Sequence, residues 1–243
     1  MFNEIILAII QAATEFLPIS SSGHLALVSN LISKPDLFFF TALHLASLLA
    51  VLIFTRKEIF ELLSFKKQYR KLWIFLITAT IPAALFGYFF SSLIESSFSS
   101  WLIIGIAFLF TSVILYLTKY ARQSSRLNWK NSLFIGLMQV LALFPGVSRS
   151  GMTISAGLFL GIEREKAAKF SFLLFIPLAI GAFILESGSF YFSLSLAISF
   201  IITLLLSLLF LNLLLLIIKK NYFWMFSAYC FLIGILSLTI YFL

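Results

Sequence analysis

Three ionisable side chains occur in stretches of the sequence that otherwise contain only apolar and small polar residues. Glu15 and His24 lie in TEFLPISSSGHLAL, and Arg149 lies in FPGVSRSGMT. A charge in apolar surroundings is costly unless it is paired, so such groups are expected to have a function. A carboxylate, an imidazole and a guanidinium among hydroxyls suit a phosphorylated or pyrophosphorylated ligand, because the guanidinium offers phosphate oxygens a planar fork of donors.

Hydrolysis of a phosphoanhydride is the chemistry that this set could perform, since it needs a nucleophile, an acid–base group and cations that take up developing charge. A carboxylate together with phosphate oxygens would also bind Mg²⁺ or Ca²⁺, which prefer oxygen ligands. Gln11 lies one turn before Glu15 on the same helix face, where it can bond a ligand, a metal-bound water or Glu15 itself. The plainer alternatives are that Gln11 only joins helices and that Glu15 only pairs with Arg149.

The two histidines of the chain differ in their sequence surroundings. His24 follows the SSSG turn, in the first turn of a helix, where a titrating imidazole suits acid–base or nucleophilic work. The alternative is a structural histidine. His44 lies in TALHLASLLAV, an ordinary apolar span, and is expected to make a hydrogen bond between helices. Ser148, Ser150 and Thr153 flank Arg149, and they either donate to the same anion or cap a helix.

The composition predicts the class of protein in which these groups must be positioned. The chain has 243 residues, of which 62% are hydrophobic and 11% charged, and this indicates a polytopic membrane protein with a single membrane domain over residues 1–243. Its one cysteine excludes an intrachain disulfide. Six stretches are long enough to span a bilayer: Leu37–Phe54, Leu72–Phe90, Trp101–Leu117, Phe170–Leu185, Phe190–Ile218 and Tyr222–Leu243.

The basic residues predict the orientation of these spans. Of 17 Lys and Arg residues, 15 lie in four connections, and the positive-inside rule places those connections in the cytoplasm. This placement also argues against nucleic acid as a partner, despite the net charge of +8. The connections around Asp36, Glu95 and Glu186 face outward, so both chain termini are expected outside.

Two further apolar stretches, Met1–Ser33 and Asn131–Gly161, are interrupted in the middle. Asn131–Gly161 begins and ends inside, so it should be a re-entrant hairpin, and Met1–Ser33 should be its counterpart from the outside. With a one-residue gap, Gln11 matches Gln139, Phe16 matches Phe144, Pro18 matches Pro145 and Ser21 matches Ser148. The predicted fold is all-α, with six transmembrane helices plus two re-entrant helical hairpins in an inverted-topology repeat of about 1–118 and 131–243.

The interrupted stretches also predict where an anion would bind. Pro18 and Pro145 end the first half-helices, and Ser20–Gly23 and Ser148–Gly151 have the composition of turns and N-caps for the second halves. The free amide groups and positive dipole ends of the second half-helices then point at one meeting place, which makes an anion site.

These motifs resemble those of the undecaprenyl-diphosphate phosphatases, also called bacitracin-resistance proteins, of the bacterial cytoplasmic membrane. The resemblance runs from end to end and includes AAKFSFLLFIP, Ala167 to Pro177. The first family signature matches Gln11, Glu15, Pro18, Ser20, Ser21, Gly23 and His24. The second matches Pro145, Gly146, Ser148, Arg149, Ser150, Gly151 and Thr153.

The resemblance implies removal of the terminal phosphate from undecaprenyl diphosphate, with dependence on a divalent cation and a site open to the outer face. Its expected partners are this lipid, the bilayer and, as an open alternative, a second copy of the chain in a homodimer. Many members have Glu where this chain has Gln11. The implied catalytic residues are Glu15, His24, Ser21 and Arg149; the phosphate-binding residues are Ser20, Ser22, Gly23, Ser148, Ser150, Gly151 and Thr153; the metal ligands are Glu15 and Gln11.

Several alternatives remain open at the level of sequence. The nucleophile can be His24, Ser21 or a water molecule. A lipid phosphatase of the phosphatidic-acid type shares the SSGH and SR fragments, but no histidine follows Arg149 at the required spacing. A transporter or flippase for a lipid-linked phosphate would also use inverted repeats with broken helices.

Overall fold

Helices make up nearly all of the described chain, which in this computed structural model comprises residues 2–29, 37–64, 66, 69–185 and 192–243. No strand occurs among those residues, only an isolated bridge between Ser125 and Ile162. The helices are α1 Phe2–Phe16, α2 Ser21–Ser29, α3 Leu37–Phe54, α4 Arg56–Leu63, α5 Arg70–Phe89, α6 Ser91–Ser97, α7 Trp101–Leu117, α8 Trp129–Leu141, α9 Arg149–Phe159, α10 Arg164–Leu185, α11 Leu194–Lys219 and α12 Phe226–Phe242. A helix satisfies its own backbone polar groups, so this content suits a chain of such hydrophobicity in a bilayer.

Five of these helices are long and apolar enough to cross a membrane, and a sixth crossing results if α3 and α4, which are bent by 74° at their break, form one span; both numbers refer to the described residues. The expectation of a polytopic all-α membrane protein is confirmed at this level. The four helices of the interrupted stretches are shorter, with 15 residues in α1, 9 in α2, 13 in α8 and 11 in α9. Each is below the roughly 20 residues that one crossing needs. The predicted outer connections around Asp36 and Glu186 lie outside the described residues.

Small residues allow the helices to approach closely where they pack in pairs. Helix α5 packs against α8, and α7 packs against α12. A Cβ atom on Gly136 of α8 would lie 2.5 Å from the carbonyl oxygen of Ala79 in α5, and one on Gly105 of α7 would lie 3.2 Å from the oxygen of Gly234 in α12. Packing through small residues is the usual basis of helix association in a bilayer, where burial of apolar surface gives little driving force.

Candidate active site

The first interrupted stretch forms a helix pair, α1 and α2, broken at residues 17–20. Pro18 follows the end of α1, and proline cannot supply the amide that a continuing helix would need. Ser20 has a positive φ of 65°, which turns the chain sharply. The Oγ of Ser20 accepts a hydrogen bond from the Gly23 amide at 3.2 Å, so the serine caps α2 as its side-chain chemistry favours.

The second interrupted stretch forms an equivalent helix pair, α8 and α9, broken at residues 142–148. Gly146 has a φ of 95°, and a Cβ atom there would lie 2.6 Å from the carbonyl oxygen of Ile104, so only glycine fits this place without strain. The Oγ of Ser148 accepts a hydrogen bond from the Gly151 amide at 3.1 Å and caps α9.

The two breaks touch each other. The Gly146 amide donates a hydrogen bond to the Oγ of Ser20 at 3.1 Å, and the Oγ of Ser150 donates to the carbonyl of Leu17 at 3.4 Å. A Cβ atom on Gly23 would lie only 2.8 Å from the backbone nitrogen of Gly146. The starts of α2 and α9 therefore lie together, as the anion-site prediction requires.

The cap bonds define how the two helix pairs correspond. Ser20 caps the amide three residues later, Ser148 does the same, and Ser148 follows Ser20 at the same separation of 128 residues as Gln139 follows Gln11. The hydroxyls of Ser20 and Ser22 are 3.3 Å apart, as are those of Ser148 and Ser150. The two stretches thus correspond without a gap.

The predicted one-residue gap is therefore wrong. It paired Pro18 with Pro145 and Ser21 with Ser148 because these residues are identical in the two stretches. The capping bonds instead pair Ser20 with Ser148, and they leave Ser21 in the same place as Arg149.

A buried ion pair joins the two helix pairs. The Nη2 atom of Arg149 lies 2.5 Å from Oε1 of Glu15, and the two side chains are 15% and 6% exposed. Arg149 also stacks over Phe175, with its Cζ 4.1 Å from the ring centroid, which adds a cation–π contact. A buried pair of this kind must be held by further bonds to be tolerated.

The second carboxylate oxygen of Glu15 accepts these further hydrogen bonds. Its Oε2 accepts from the Oγ of Ser21 at 2.5 Å and from the Nε2 of Gln11 at 3.0 Å. Four predicted site residues, Gln11, Glu15, Ser21 and Arg149, are thus in one hydrogen-bonded group. Glu15 is the centre of this group.

The remaining hydroxyls near Arg149 bond mainly to the protein itself. Thr153 donates to the carbonyl of Arg149 at 2.9 Å, and its Oγ1 is 2.7 Å from the Oγ of Ser171. The amides of Gly23 and Gly151 are taken by the two serine caps.

His24 makes contacts that differ from those of the charged group. Its Nδ1 donates to the carbonyl of Ser20 at 2.8 Å, so in the neutral ring Nε2 accepts from the hydroxyl of Tyr229 at 2.7 Å. Tyr229 stacks on the imidazole with centroids 5.6 Å apart, and Phe108 meets it edge-on. Among the hydrogen bonds and ion pairs of the described residues, none joins His24 to Glu15 or Arg149.

Sequence reasoning missed Tyr229 and the place of His44. The hydrogen bond of His44 is made within its own helix, from Nδ1 to the carbonyl of Phe40 at 2.9 Å, rather than between helices as expected. Its Nε2 lies 3.8 Å from Oε2 of Glu15. A histidine inside an apolar span was a signal that could have placed it in the site, whereas Tyr229 lies in an apolar span and gave none.

The residues around Glu15 fit a hard divalent cation in their chemistry. The Oε1 atom of Gln11 is buried and has no hydrogen-bond partner, and it belongs to the same small group as the Glu15 carboxylate and the Ser21 hydroxyl. These are oxygen donors of the kind that Mg²⁺ and Ca²⁺ prefer. No cluster of three or more His, Cys, Asp or Glu side chains occurs in the described ranges, so phosphate oxygens or water would have to complete the coordination.

Comparison with known proteins gives a consistent result over the whole chain. A family model described as bacitracin resistance protein BacA matches residues 4–236. Proteins named undecaprenyl-diphosphatase are similar: one from Thermosipho africanus is 44% identical, with 97% of this chain and 98% of the relative covered. Relatives from Methanococcus maripaludis and Alkaliphilus metalliredigens, with the same name, are 41% and 38% identical, over 98% and 96% of this chain and 99% and 96% of their own lengths.

Proposed function

Because the chain belongs to the bacitracin resistance protein BacA family, we propose that it is an undecaprenyl-diphosphate phosphatase. It hydrolyses undecaprenyl diphosphate to undecaprenyl phosphate and inorganic phosphate, and so returns the lipid carrier to cell-wall synthesis. The name shared by the relatives favours this hydrolase over a transporter or flippase. The observation that carries the proposal is the Glu15–Arg149 pair, which lies where the two helix breaks meet and has the Ser21 hydroxyl on the same carboxylate.

The diphosphate binds at the joined starts of α2 and α9. The first amides of a helix have no partner within the helix, and the dipole there favours an anion. Arg149 is the first residue of α9, so its guanidinium and the α9 amides reach the same ligand. Its Nη2 is engaged with Glu15, and the other donors of the planar fork serve the phosphate oxygens.

Ser21 is the nucleophile that the geometry favours among the three that the sequence left open. Its Oγ already donates to Glu15 at 2.5 Å, which is the arrangement of a hydroxyl with its general base. In the first step Glu15 takes the hydroxyl proton, the Oγ–P bond forms at the terminal phosphorus, and the bond to the bridging oxygen breaks. Undecaprenyl phosphate leaves with the proton that Glu15 took. Water then attacks the phosphorus of the phosphoserine while Glu15 takes its proton, the Oγ–P bond breaks, and the proton passes from Glu15 to Oγ as inorganic phosphate is released.

His24 has a supporting role in this mechanism. Its Nδ1 holds the carbonyl of Ser20 at the break, and its Nε2 is taken by Tyr229. The imidazole therefore fixes the start of α2, on which Ser21 lies. A divalent cation would be held by Glu15 and by Oε1 of Gln11, and it would supply positive charge to the phosphate oxygens.

The proposal includes the membrane topology: six crossings, two re-entrant helix pairs, a site open to the outer face of the cytoplasmic membrane, and both termini outside. It is supported by contacts between the basic connections. The Nζ of Lys169 lies 2.8 Å from Glu58, and that of Lys219 lies 2.9 Å from Glu165. The amide of Ser124 donates to the carbonyl of Gly161 at 2.9 Å. All four basic connections therefore lie at one end of the molecule, as a common cytoplasmic side requires.

The test is phosphate release by the purified protein from a long polyprenyl diphosphate in detergent, with Mg²⁺, with Ca²⁺ and with a chelator. We expect cation-dependent release that is lost in Glu15→Ala and Arg149→Ala. A Glu163→Ala variant, which changes only an exposed pair with Lys166, is the matched control and should keep full activity. Folded wild-type protein that binds the lipid but releases no phosphate would move the assignment to a carrier.

A further inference from the structure

His44 is held in an orientation that directs one of its nitrogens toward the charged group. Its Nδ1 bonds the carbonyl of Phe40 at 2.9 Å, which fixes the ring on α3. The other nitrogen, Nε2, is then turned toward Glu15 and lies 3.8 Å from Oε2, beyond the length of a hydrogen bond. Nε2 is therefore a nitrogen available to a ligand that reaches Glu15.

His44 is also more accessible than the two members of the ion pair. Its side chain is 41% exposed, compared with 6% for Glu15 and 15% for Arg149. It lines a cleft of about 70 Å³ between α3 and α10. The other residues of the cleft are Thr41, Leu45, Ala179, Ala182 and Phe183, so His44 is the one titratable side chain in the lining.

The cleft opens at the outside of the helix bundle, and His44 in its lining lies beside Glu15 of the ion pair. Phe183 at its α10 side is 40% exposed, whereas Glu15 behind His44 is buried. A lipid whose hydrocarbon chain stays in the bilayer beside α3 and α10 can present its diphosphate at such an opening. The imidazole of His44 lines this cleft and lies beside Glu15, so it can contact the diphosphate there.

We propose that His44 is a substrate-binding residue, whose Nε2 hydrogen-bonds the diphosphate as it enters between α3 and α10 and holds it against Glu15 and Arg149. This inference rests on the proposed phosphatase function, since it assigns a contact to the same ligand. It gives the two histidines different tasks: His24 supports the backbone at the break, and His44 contacts the substrate.

The test compares His44→Leu with His44→Gln. Leucine keeps the approximate size of the side chain and removes the nitrogen, whereas the amide of glutamine places a donor and an acceptor near the position of Nε2. We expect His44→Leu to raise the KM for polyprenyl diphosphate about tenfold or more, as for a lost hydrogen bond to a charged group. The change in kcat should be smaller, and His44→Gln should restore the KM to within about threefold.

A binding measurement separates this inference from the proposed function. A polyprenyl diphosphate analogue with a methylene bridge cannot be hydrolysed, and its affinity can be measured for each variant by its stabilisation of the protein against heat. Weaker binding by His44→Leu with recovery in His44→Gln supports the inference even if the wild type releases no phosphate, in which case only the phosphatase proposal fails. Normal affinity and normal KM in a folded His44→Leu protein would overturn the inference and leave the phosphatase proposal intact.

Discussion

The two helix pairs have the same backbone arrangement at their breaks and differ in the reactive side chains that lie beside it. Ser20 and Ser148 make the same cap bond, and the glycines that they cap, Gly23 and Gly151, correspond as well. The differences occur at neighbouring positions. The first pair has Glu15 where the second has Leu143, and His24 where the second has Met152.

The most informative difference is the position that Ser21 and Arg149 share. Each is the residue directly after the capping serine, and each bonds Glu15, one through its hydroxyl and one through its guanidinium. In the proposed mechanism, one pair thus contributes the nucleophile and the carboxylate, and the other contributes the guanidinium. The capping residues thus form the contact between the two breaks, while the positions at which the two pairs differ hold the residues to which the proposed mechanism assigns the reaction.

The largest effect is expected from removing the nucleophile. Ser21→Ala should lower kcat by about 10⁴-fold or more, as loss of an attacking hydroxyl does in other covalent mechanisms. Ser22→Ala, which removes a hydroxyl bonded to Ser20 rather than to Glu15, is the control and should stay within about tenfold of wild type. The measurement is phosphate release under saturating lipid. Comparable losses of kcat in the two variants would show that Ser21 has no catalytic role beyond the structural role of the neighbouring serine.

The next effect concerns the cation at the corresponding position. Arg149→Lys keeps the positive charge and loses the planar fork, so it should lower kcat/KM about 100-fold, the usual cost of a lost charge-stabilising donor. Initial rates over a range of lipid concentrations give this ratio. If the Arg149→Lys variant kept most of the activity, charge alone would matter at this position, and the proposed contact between the remaining guanidinium donors and the phosphate oxygens would be wrong.

The backbone at the second break, which packs closely against α7, provides a test of the structure that holds the site. Gly146→Ala would force a side chain into a φ of 95° and toward the Ile104 carbonyl, so it should destabilise the fold by about 1–3 kcal/mol. Gly181→Ala is the matched control, because a Cβ atom there meets nothing within 4 Å. Thermal unfolding in detergent should show a lower midpoint only for Gly146→Ala. Equal midpoints would mean that the backbone at residue 146 accepts a side chain and that the positive φ and the close approach to α7 are not needed there.

Part of this site could be predicted from the sequence for a simple reason. Glu15 and Arg149 are charges in apolar stretches, and such charges must pair with each other or with a ligand. The serines and glycines at the breaks have a local preference for caps and turns, so the capped starts of α2 and α9 followed from chain-local chemistry. Their meeting was expected from the similarity of the two interrupted stretches.

Other features depend on which helices pack together, and the sequence carries no local signal for that. Tyr229 reaches His24 across 205 residues because α12 packs on α7, and one tyrosine among eight gives no indication of such a contact. The gap in the repeat was misplaced for a related reason. Proline at a break is needed near the bend and not at one fixed position, whereas the cap bond fixes the position of the serine.

The smallest effect is expected at Gln11 and Gln139, which occupy corresponding positions in the two helix pairs but have different hydrogen-bond partners. Gln11 donates to Glu15, whereas Gln139 donates to the carbonyl of Ala79 in α5 at 3.3 Å, and each keeps a buried Oε1 without a partner. If Oε1 of Gln11 contributes to cation binding, Gln11→Ala should raise the Mg²⁺ concentration for half-maximal activity about tenfold. Gln139→Ala should leave it unchanged and slightly lower thermal stability.

The same pair of variants gives a readout that does not depend on activity. Stabilisation of the folded protein by Mg²⁺ reports cation binding directly, because a ligand of the folded state raises the unfolding midpoint. The Mg²⁺-dependent shift should be reduced by Gln11→Ala and retained by Gln139→Ala. Equal shifts in both would remove Gln11 from the cation ligands and leave it as a hydrogen-bond donor to Glu15. The two glutamines would then have the same structural role in both helix pairs, and Glu15 would have to hold the cation without Gln11.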